Sequence, residues 1–462
     1  MTGINRVKSF LNPFSSVSIA PLVLFRIIFG GMLTFGSFRF LSKGWVYDMY
    51  IQPQYYFGYL GFEWVKPFPG NWMYVPFVIF ILSSIGVALG AFYRWSSVLL
   101  FLSFSYIELL DKSNYLNHYY FISLITFLLI FVPANRSFSL DVKWGFVTEL
   151  KQIPMWNIGI FKFQLACVYV FAGIAKIESD WLLQAQPLKI WLQAHRDMPV
   201  FGKLLAQEWI AYFFSWFGCF YDLFIVFFLL SKKARPIAYF FVIVFHFATW
   251  YLLPIGIFPW VMIFSTLVFF SVSFHENLLK KLRKLLKSED QSVENKSVLT
   301  HSNPKIVLFF LVIYIGFQVL VPFRYILYPG NLFWNEEGFR FSWRVMLMHK
   351  EGMATFYVQD KKTGGEIEVK NCDFLCPTQV DQMATQPDMI LQYASFLERK
   401  FKDSVLVIGG KEFKIESPKV SADIYVSLNG RPSQLFVSKK HDLTKIPYNL
   451  AHRNWIEPFK ND

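Results

Sequence analysis

The first 325 residues alternate apolar runs with short polar segments, and the apolar runs have the length of membrane spans. A bilayer core needs about 20 consecutive apolar residues in a helix. Runs seven and eight are separated by only Pro254, Ile255 and Gly256, which indicates a tight hairpin or a re-entrant turn. The pattern predicts nine transmembrane helices, near residues 18–38, 73–92, 95–110, 118–134, 157–177, 208–230, 236–253, 255–273 and 305–323.

The distribution of Lys and Arg predicts how these helices are oriented. If the N-terminus (residues 1–17) is cytoplasmic, the inner segments carry 16 Lys and Arg and the opposite segments carry 7. Cytoplasmic loops are enriched in these residues, so we expect everything after residue 325 to lie on the lumenal or periplasmic side. The net charge of +13 is spread over membrane boundaries and forms no single basic face, which argues against nucleic acid as a partner.

Two further segments have their own pattern. Residues 275–290 (HENLLKKLRKLLKSED) are typical of a basic amphipathic helix on the cytoplasmic membrane surface, although a solvated linker helix fits equally well. Residues 330–462 contain alternating or β-branched stretches (TFYVQD, EIEV, SVLVIGG and ADIYVSL) separated by glycine-containing turns. We therefore expect a polytopic α-helical membrane domain (18–325) followed by a small, mainly β domain (330–462) with one helix near 388–402.

Composition supports a membrane protein and gives no sign of a metal site. Hydrophobic residues make up 54% of the chain and charged residues only 17%, which is unusual for a soluble protein of this size. The four cysteines show no metal-binding spacing, so no metal is expected. Cys372 and Cys376 are close enough in sequence to pair in an oxidising compartment.

Ionisable and polar residues inside or at the ends of apolar runs are the candidates for function, because they are costly in a membrane. Most of them fall near the outer ends of their runs, so they can converge on one cavity. They are Arg26, Asp111, Asn117, His118, Lys162, Lys176, Asp222 and His246.

Each candidate also has a structural interpretation. Arg26, Lys162 and Asp222 can be partners that lock helices together, His246 can be a hydrogen-bond donor between helices, and Asp111 can simply end a helix. Lys176 follows the small-residue stretch F-A-G-I-A, so it is either an amine that extends to the headgroups or a desolvated amine that acts as a base. The residues alone leave both interpretations open.

Five strings, in order along the chain, resemble the vitamin K-dependent γ-glutamyl carboxylase family. They are L-L-D-K-S-N-Y-L-N-H (109–118), F-A-G-I-A-K-I-E-S-D-W (171–181), F-H-F-A-T-W-Y-L-L-P-I-G-I-F-P-W-V-M (245–262), F-S-W-R-V-M (341–346) and D-I-Y-V-S-L-N-G-R (423–431). The similarity extends from about residue 20 to the end of the sequence.

The resemblance implies a reaction in which a lysine deprotonates vitamin K hydroquinone, which then reacts with O2. The product is a base strong enough to remove a γ-proton from a glutamate side chain. The resulting carbanion attacks CO2, and vitamin K leaves as its 2,3-epoxide. A site inside the membrane suits an apolar quinol and excludes water. The implied partners are membrane lipids, a glutamate-containing peptide or protein, and a quinone reductase that recycles vitamin K.

The resemblance also implies roles for particular residues. Lys176 matches the catalytic base, His118 the histidine of the glutamate step, and His246 another histidine near the site. Asn117 is implied as a partner of the quinol oxygen or of the lysine, and Asp111 as an orienting group. The expected substrate-binding residues are Arg431, as a bidentate carboxylate ligand, together with Lys350, Trp343 and Met346.

The sequence departs from the family in three places. Ala175 stands where a second lysine is common, the family's disulfide-forming cysteine near the second span is absent from residues 92–97, and the chain stops soon after N-W-I-E-P-F (454–459). Animal members continue through a long region that helps to bind the substrate propeptide. We therefore expect a bacterial form in the cytoplasmic membrane (the endoplasmic reticulum in a eukaryote), in which menaquinol can replace vitamin K hydroquinone.

These departures leave three hypotheses. The first is a carboxylase that couples epoxidation to CO2 addition. The second is a quinol epoxidase that does not carboxylate protein, and the third is a non-catalytic protein that binds quinone or lipid. Lys176 together with His118 favours the first two over the third, and Arg431 favours the first over the second.

Overall fold

The computed structural model describes residues 12–253, 255–286, 303–408 and 411–460. Each of the nine predicted apolar runs contains a helix, and the amphipathic segment contains another. In chain order these ten helices are α1 (Ala20–Ser42), α2 (Tyr74–Leu89), α3 (Tyr93–Leu110), α4 (Asn117–Phe131), α5 (Trp156–Ala175), α6 (Glu208–Leu230), α7 (Arg235–Leu252), α8 (Phe258–Ser265), α9 (Val272–Leu285) and α10 (Pro304–Leu320).

Not all of these helices have the dimensions of a membrane span. Among the described residues, six are long and apolar enough, namely α1, α5, α6, α7, and α2 and α10 with their adjoining 3-10 turns. A seventh results if α8 and α9 are counted as one bent span. The described part of this membrane protein thus contains six or seven helices with the dimensions of a span, whereas α4, with 15 residues, is shorter than a bilayer requires. The predicted number of nine spans stays a prediction.

The eighth predicted run contains a helical segment that ends in a sharp bend. It consists of α8 and a 3-10 turn (Thr266–Phe269), after which α9 turns away by 115°. The face of α9 with His275 and Leu279 is buried, whereas Lys280 and Lys281 are exposed, as an amphipathic helix requires. Residues 287–290 of the predicted amphipathic helix, Pro254 of the predicted hairpin and residues 1–11 lie outside the described residues.

Glycines allow two pairs of helices in the membrane domain to approach closely. A Cβ atom at Gly30 of α1 would lie 2.7 Å from the backbone N of Ala88 in α2. A Cβ atom at Gly173 of α5 would lie 2.7 Å from the backbone N of Leu223 in α6. Backbone-to-backbone packing of this kind is typical of small residues in membrane helices. In the second pair it sets the distance between the side chains at the end of α5 and those near Leu223 in α6.

Short elements connect the helices. Strand β1 (Ser16–Ser18) pairs with β2 (Gln152–Pro154) in antiparallel register, which ties the start of α1 to the start of α5. Six further short helices lie in the connections, at Trp45–Tyr50, Leu140–Lys143, Ser179–Leu182, Leu188–Gln193, Gly202–Leu205 and Leu332–Asn335.

The C-terminal domain is an antiparallel sheet with two helices. The sheet order is β4-β3-β7-β8, and a separate hairpin pairs β5 with β6; the strands are β3 (Lys350–Asp360), β4 (Glu366–Val369), β5 (Ser404–Ile408), β6 (Lys411–Ile415), β7 (Pro418–Leu428) and β8 (Gln434–Val437). All four predicted stretches therefore contain a strand, and Gly409 and Gly410 at the end of SVLVIGG lie outside the described residues. The predicted helix near 388–402 is α12 (Pro387–Phe401), but the preceding helix α11 (Pro377–Thr385) was not predicted.

The two domains share buried surface. The hydrophobic core of the C-terminal domain, which includes Phe356 and Tyr393, also contains Phe57 and Trp181 of the membrane domain. Polar contacts reinforce this packing, since the Gln379 side chain of α11 donates to the backbone O of Tyr55 at 2.7 Å. The C-terminal domain is thus docked against the membrane domain, close to the end of α5.

Candidate functional site

A cavity of about 370 Å³ lies between the membrane helices and the C-terminal domain, and it is called the central cavity here. Its walls come from the start of α4, the second halves of α5 and α7, the middle of α6, the start of α8, and the segment 336–348 before β3. Most of the lining is apolar, including Val168, Phe217, Leu252 and Phe258. A mostly apolar cavity with a few convergent polar groups is typical of a small-molecule site.

Lys176 lines the central cavity, directly after the last residue of α5. Its Nζ lies 2.7 Å from Oδ2 of Asp222 in α6, and the exposed fraction of each side chain is 7%. The close approach at Gly173 allows this pairing because it brings the backbones of α5 and α6 together. Lys176 therefore does not extend to the headgroups; its amine is held inside the cavity by a buried carboxylate.

The two histidines predicted for the site also line the cavity. His118, at the start of α4, stacks on Phe258 with 4.9 Å between ring centroids. Among the described residues, no hydrogen-bond partner is found for its ring nitrogens. His246 of α7 is buried, and its Nε2 lies 2.9 Å from the hydroxyl of Tyr169, which also lines the cavity.

Asn117 lines the cavity but uses its amide on the protein itself. Its Nδ2 donates to the backbone O of Arg344 at 3.0 Å, and its Oδ1 accepts from the hydroxyl of Tyr115 at 3.2 Å. The Tyr115 hydroxyl also accepts from the backbone N of Phe341 at 2.8 Å. Asn117 and Tyr115 thus fix the segment 339–346 of the C-terminal region, called the roof loop here, over the cavity.

The roof loop contains the string F-S-W-R-V-M and has an unusual backbone. Phe341, Trp343 and Met346 have φ values of 61°, 58° and 55°, in the left-handed region that bulky side chains rarely adopt. Trp343 is buried and stacks on Tyr120 with 4.9 Å between centroids, whereas Met346 lines the cavity. Of these two predicted substrate-binding residues, Met346 reaches the cavity and Trp343 supports the loop from behind.

Like Trp343, three further predicted site residues do not line the cavity, namely Asp111, Lys350 and Arg431. Asp111 is buried, and its Oδ2 accepts from Nε2 of Gln379 at 2.6 Å, which joins the two domains. Burial raises the pKa of the Asp111 carboxyl to about 6, although hydrogen bonds from Ser113 and Gln379 lower it. Lys350 is paired with Glu336 at 2.8 Å, and burial lowers the pKa of Lys350 although Glu336 opposes this.

Arg431 is the third residue outside the cavity lining. Its Nη1 and Nη2 donate to the two carboxylate oxygens of Asp180 at 2.7 and 2.6 Å. Burial raises the pKa of Asp180, but the hydrogen bonds from Arg431 and Asn429 lower it by more, so the net pKa is below its usual value. In this structure the bidentate partner of Arg431 is a carboxylate of the protein, and its binding of a substrate carboxylate stays a prediction.

The remaining membrane-domain candidates lie elsewhere. Arg26 donates to the backbone O atoms of Ala134 and Phe138 at 3.1 and 2.6 Å, so its partners are carbonyl groups rather than a carboxylate. Lys162 lies 5.9 Å from the ring centroid of Phe269, and neither residue lines the cavity. Asp222 lines the cavity, and because it pairs with Lys176 it also joins α6 to α5, as its structural interpretation expected.

Sequence reasoning missed several polar residues of the cavity, among them Tyr169, Glu336, Arg340, Gln382 and Gln386. Tyr169 lies in an apolar helix where a tyrosine carries no distinct signal. Glu336 and Arg340 lie directly before the string that carries the resemblance, so the string itself was the available signal. Cys372 and Cys376 are free thiols, and no group of three metal-binding side chains is found within the described ranges.

Comparisons with known families agree with this architecture. The HTTM domain matches residues 14–274, which is more than half of the chain. The lumenal domain of vitamin K-dependent gamma-carboxylase matches residues 303–462. No solved structure matches this chain. The two matches cover the membrane domain and the C-terminal domain in the order found here, and the chain belongs to the vitamin K-dependent gamma-carboxylase family.

Proposed function

We propose that this protein couples the epoxidation of vitamin K hydroquinone, or of menaquinol, to the addition of CO2 to glutamate side chains of a peptide or protein. Family membership supports a carboxylase of this kind. The observation that carries the finer proposal is the position of Lys176, whose amine is buried in an apolar cavity together with His118 and His246.

The central cavity suits a reduced naphthoquinone. Its volume of about 370 Å³ falls in the range of about 300–1,000 Å³ that is usual for small-molecule sites. The aromatic and aliphatic walls fit the rings and the start of an apolar tail, and Lys176 and Asp222 provide polar groups for a quinol hydroxyl. When bound, the quinol supplies, by reaction with O2, a base stronger than any side chain.

Lys176 and Asp222 together can accept the quinol proton. A lysine paired with a carboxylate favours its ammonium form, and an ammonium cannot accept a proton. The short distance between Nζ and Oδ2 lets the pair accept a proton even when Lys176 is an ammonium, because Nζ can pass one proton to Asp222 as it receives another from the quinol. The pair then carries one additional proton, and the proton taken from the quinol hydroxyl is accounted for.

The other cavity residues have separate tasks in this proposal. His118, whose ring nitrogens have no partner within the described part of the chain, serves the glutamate half of the reaction. His246 is fixed by Tyr169 and forms part of the wall near the quinol. Asn117 and Asp111 act indirectly, since Asn117 holds the roof loop and Asp111 holds α11.

We further propose that the C-terminal domain lies on the periplasmic or lumenal side, with the N-terminus cytoplasmic. The charge distribution along the sequence supports this orientation. The proposed location is the bacterial cytoplasmic membrane, and a quinone reductase would restore the quinol there. Cysteine labelling from either side of the membrane tests the orientation, and a C-terminal domain labelled only from the cytoplasmic side would contradict it.

One experiment tests the proposed reaction. Purified protein is incubated with reduced vitamin K, O2, ¹⁴C-bicarbonate and a glutamate-containing peptide, and the epoxide and the fixed label are measured separately. The proposal expects both products, and Lys176→Ala should abolish both. Lys162→Ala is the matched control, because it removes another lysine of α5 that does not line the cavity.

A second candidate function is epoxidation without carboxylation. It is favoured by Arg431, which lies outside the cavity lining and is already bound to Asp180. Epoxide without fixed label in the same assay would support this second candidate. If the folded protein makes neither product, a non-catalytic quinone-binding role is the better description.

A further inference from the structure

The side of the central cavity that faces the C-terminal domain has a polar wall. It consists of Glu336, Arg340, Gln382 and Gln386, all of which line the cavity. This wall lies opposite the apolar helices and includes residues from α11 and the roof loop. A peptide that reaches the cavity from the C-terminal domain would meet these groups first.

Arg340 is held in this wall by a carboxylate that serves two cations. Its Nη1 and Nη2 lie 2.7 and 3.3 Å from the two oxygens of Asp388. Lys112 also binds Asp388, with its Nζ 2.8 Å from the same Oδ2 that accepts from Nη1. Two cations thus share one carboxylate, which leaves a local excess of positive charge beside the cavity.

The guanidinium of Arg340 also retains donors for a ligand. It has five N–H groups, and within the described ranges it gives three hydrogen bonds to Asp388 and Gln386. Two N–H groups therefore remain. The side chain is 17% exposed, and Arg340 lines the cavity, so a ligand in the cavity can contact it.

The neighbouring arginines increase the positive charge of this region. Arg324 donates through Nη2 to the backbone O of Arg340, and Arg344 stacks over the ring of Tyr325 at 4.3 Å. Neither guanidinium has a carboxylate within 4 Å among the described residues. By contrast, Glu336 is neutralised by Lys350. An anionic group is thus the chemistry that this wall favours.

We propose that Arg340 binds the side-chain carboxylate of the substrate glutamate in the central cavity. Lys112 keeps Asp388 neutralised when Arg340 turns toward the substrate, so the exchange leaves no buried charge without a partner. This inference rests on the proposed carboxylase function and assigns to Arg340 the contact that the sequence had assigned to Arg431. Because a guanidinium favours two parallel hydrogen bonds, it distinguishes glutamate from glutamine.

The test compares Arg340→Gln and Arg340→Lys with the wild-type protein in lipid nanodiscs. The KM of a glutamate peptide in CO2 fixation should rise about 10- to 100-fold in Arg340→Gln, as expected for loss of a charge-assisted hydrogen bond. Arg340→Lys should show a smaller rise, because it keeps the charge and loses the paired geometry. The KM of the quinol should change much less than the KM of the peptide.

Two controls make the result specific. Arg399→Gln removes an exposed arginine of α12 with the same change in charge, and it should leave the KM of the peptide unchanged. Arg431→Gln tests the earlier assignment directly. If Arg431→Gln raises the KM of the peptide and both Arg340 variants do not, the inference is overturned in favour of Arg431.

Peptide binding provides a readout that does not need turnover. The Kd of a fluorescent glutamate peptide should be lower than that of its glutamine analogue, and Arg340→Gln should remove this preference. A wild-type protein that makes neither epoxide nor labelled peptide refutes the proposed function itself. A second outcome refutes only this inference. In it the wild-type protein carboxylates the peptide, and Arg340→Lys melts at the same temperature and keeps both the wild-type KM and the preference for the glutamate peptide over its glutamine analogue.

Discussion

The pairing of Lys176 with Asp222 leads to the most direct prediction, which concerns Asp222→Asn. The amide fills nearly the same volume but cannot neutralise the ammonium or accept its proton. At the observed 2.7 Å and an effective dielectric constant of about 20, the attraction between the two charges is about 6 kcal/mol. Removing one partner of a buried ion pair typically costs about 3–5 kcal/mol, because the remaining charge is left without compensation.

The expected consequences are a less stable and much less active protein. For a chain of 462 residues, a loss of about 3–5 kcal/mol should lower the melting temperature in detergent by about 3–5 °C, as followed by intrinsic tryptophan fluorescence. Loss of the proton acceptor should lower the rate of epoxide formation at saturating quinol by about 10²- to 10⁴-fold, the usual contribution of general acid–base catalysis. Asp222→Glu restores a carboxylate and should regain part of the activity.

A double variant separates this explanation from a general loss of structure. If Lys176 and Asp222 act as one proton acceptor, the variant with both Lys176→Ala and Asp222→Asn should be no slower than Lys176→Ala alone. Independent contributions would instead multiply. The reasoning is refuted if Asp222→Asn epoxidises quinol as fast as the wild type or faster, since the carboxylate would then only hold Lys176 in its charged form.

Three further predictions follow from the same geometry. Lys176→Arg and Lys176→Ala should both lose epoxidation, because a guanidinium stays protonated and an alanine has no base, whereas Lys162→Ala should keep it. A small amine added to Lys176→Ala should restore part of the activity. Near-normal epoxide formation by Lys176→Arg would show that the base lies elsewhere. Gly173→Ala should lower the melting temperature and the epoxidation rate, because its Cβ would lie 2.7 Å from the facing helix, whereas Gly159→Ala, with nothing within 4 Å, should do neither. Burial lowers the pKa of Lys112 to about 8 although Asp388 opposes this, so Lys112 loses its charge as the pH rises through that value. Asp388 then depends on Arg340 alone for neutralisation, and the KM of the glutamate peptide should increase. Lys112→Arg keeps its charge and should remove this increase.

Much of the fold could be predicted from the hydrophobic pattern, because a bilayer imposes a length and a composition on each span. Helices formed in all nine predicted runs, and the strands after residue 330 followed their alternating residues. The separation of α8 from α9 agrees with a span near 255–273 followed by an amphipathic helix, but the angle of 115° between them could not be predicted, since it depends on how the two helices pack. Helix α11 was missed because its nine residues are too few for a clear period.

Some residues of the candidate site could be predicted from the sequence, and others could not. Lys176, His118 and His246 were predictable because polar groups in apolar runs are conspicuous, and the structure brings them to one cavity. Their partners were not predictable, since a partner is fixed by how two distant helices cross. Asp222 pairs with Lys176 rather than with another cation because Gly173 sets the approach of α5 and α6. In the same way, Arg431 meets Asp180 because the C-terminal domain docks close to the end of α5.

The roof loop shows why a short string in a soluble segment can indicate a membrane site. Left-handed backbone at Phe341, Trp343 and Met346 costs about 1–3 kcal/mol for each residue, so the loop needs strong support from its surroundings. The membrane domain supplies that support through Tyr115 and Asn117, which hold the loop backbone at 2.8 and 3.0 Å. The same strained segment places Met346 and Arg340 at the cavity. The site is therefore complete only when the C-terminal domain is docked on the membrane domain. A membrane domain without the C-terminal domain would retain Lys176 and Asp222 but lack the wall that we assign to the glutamate.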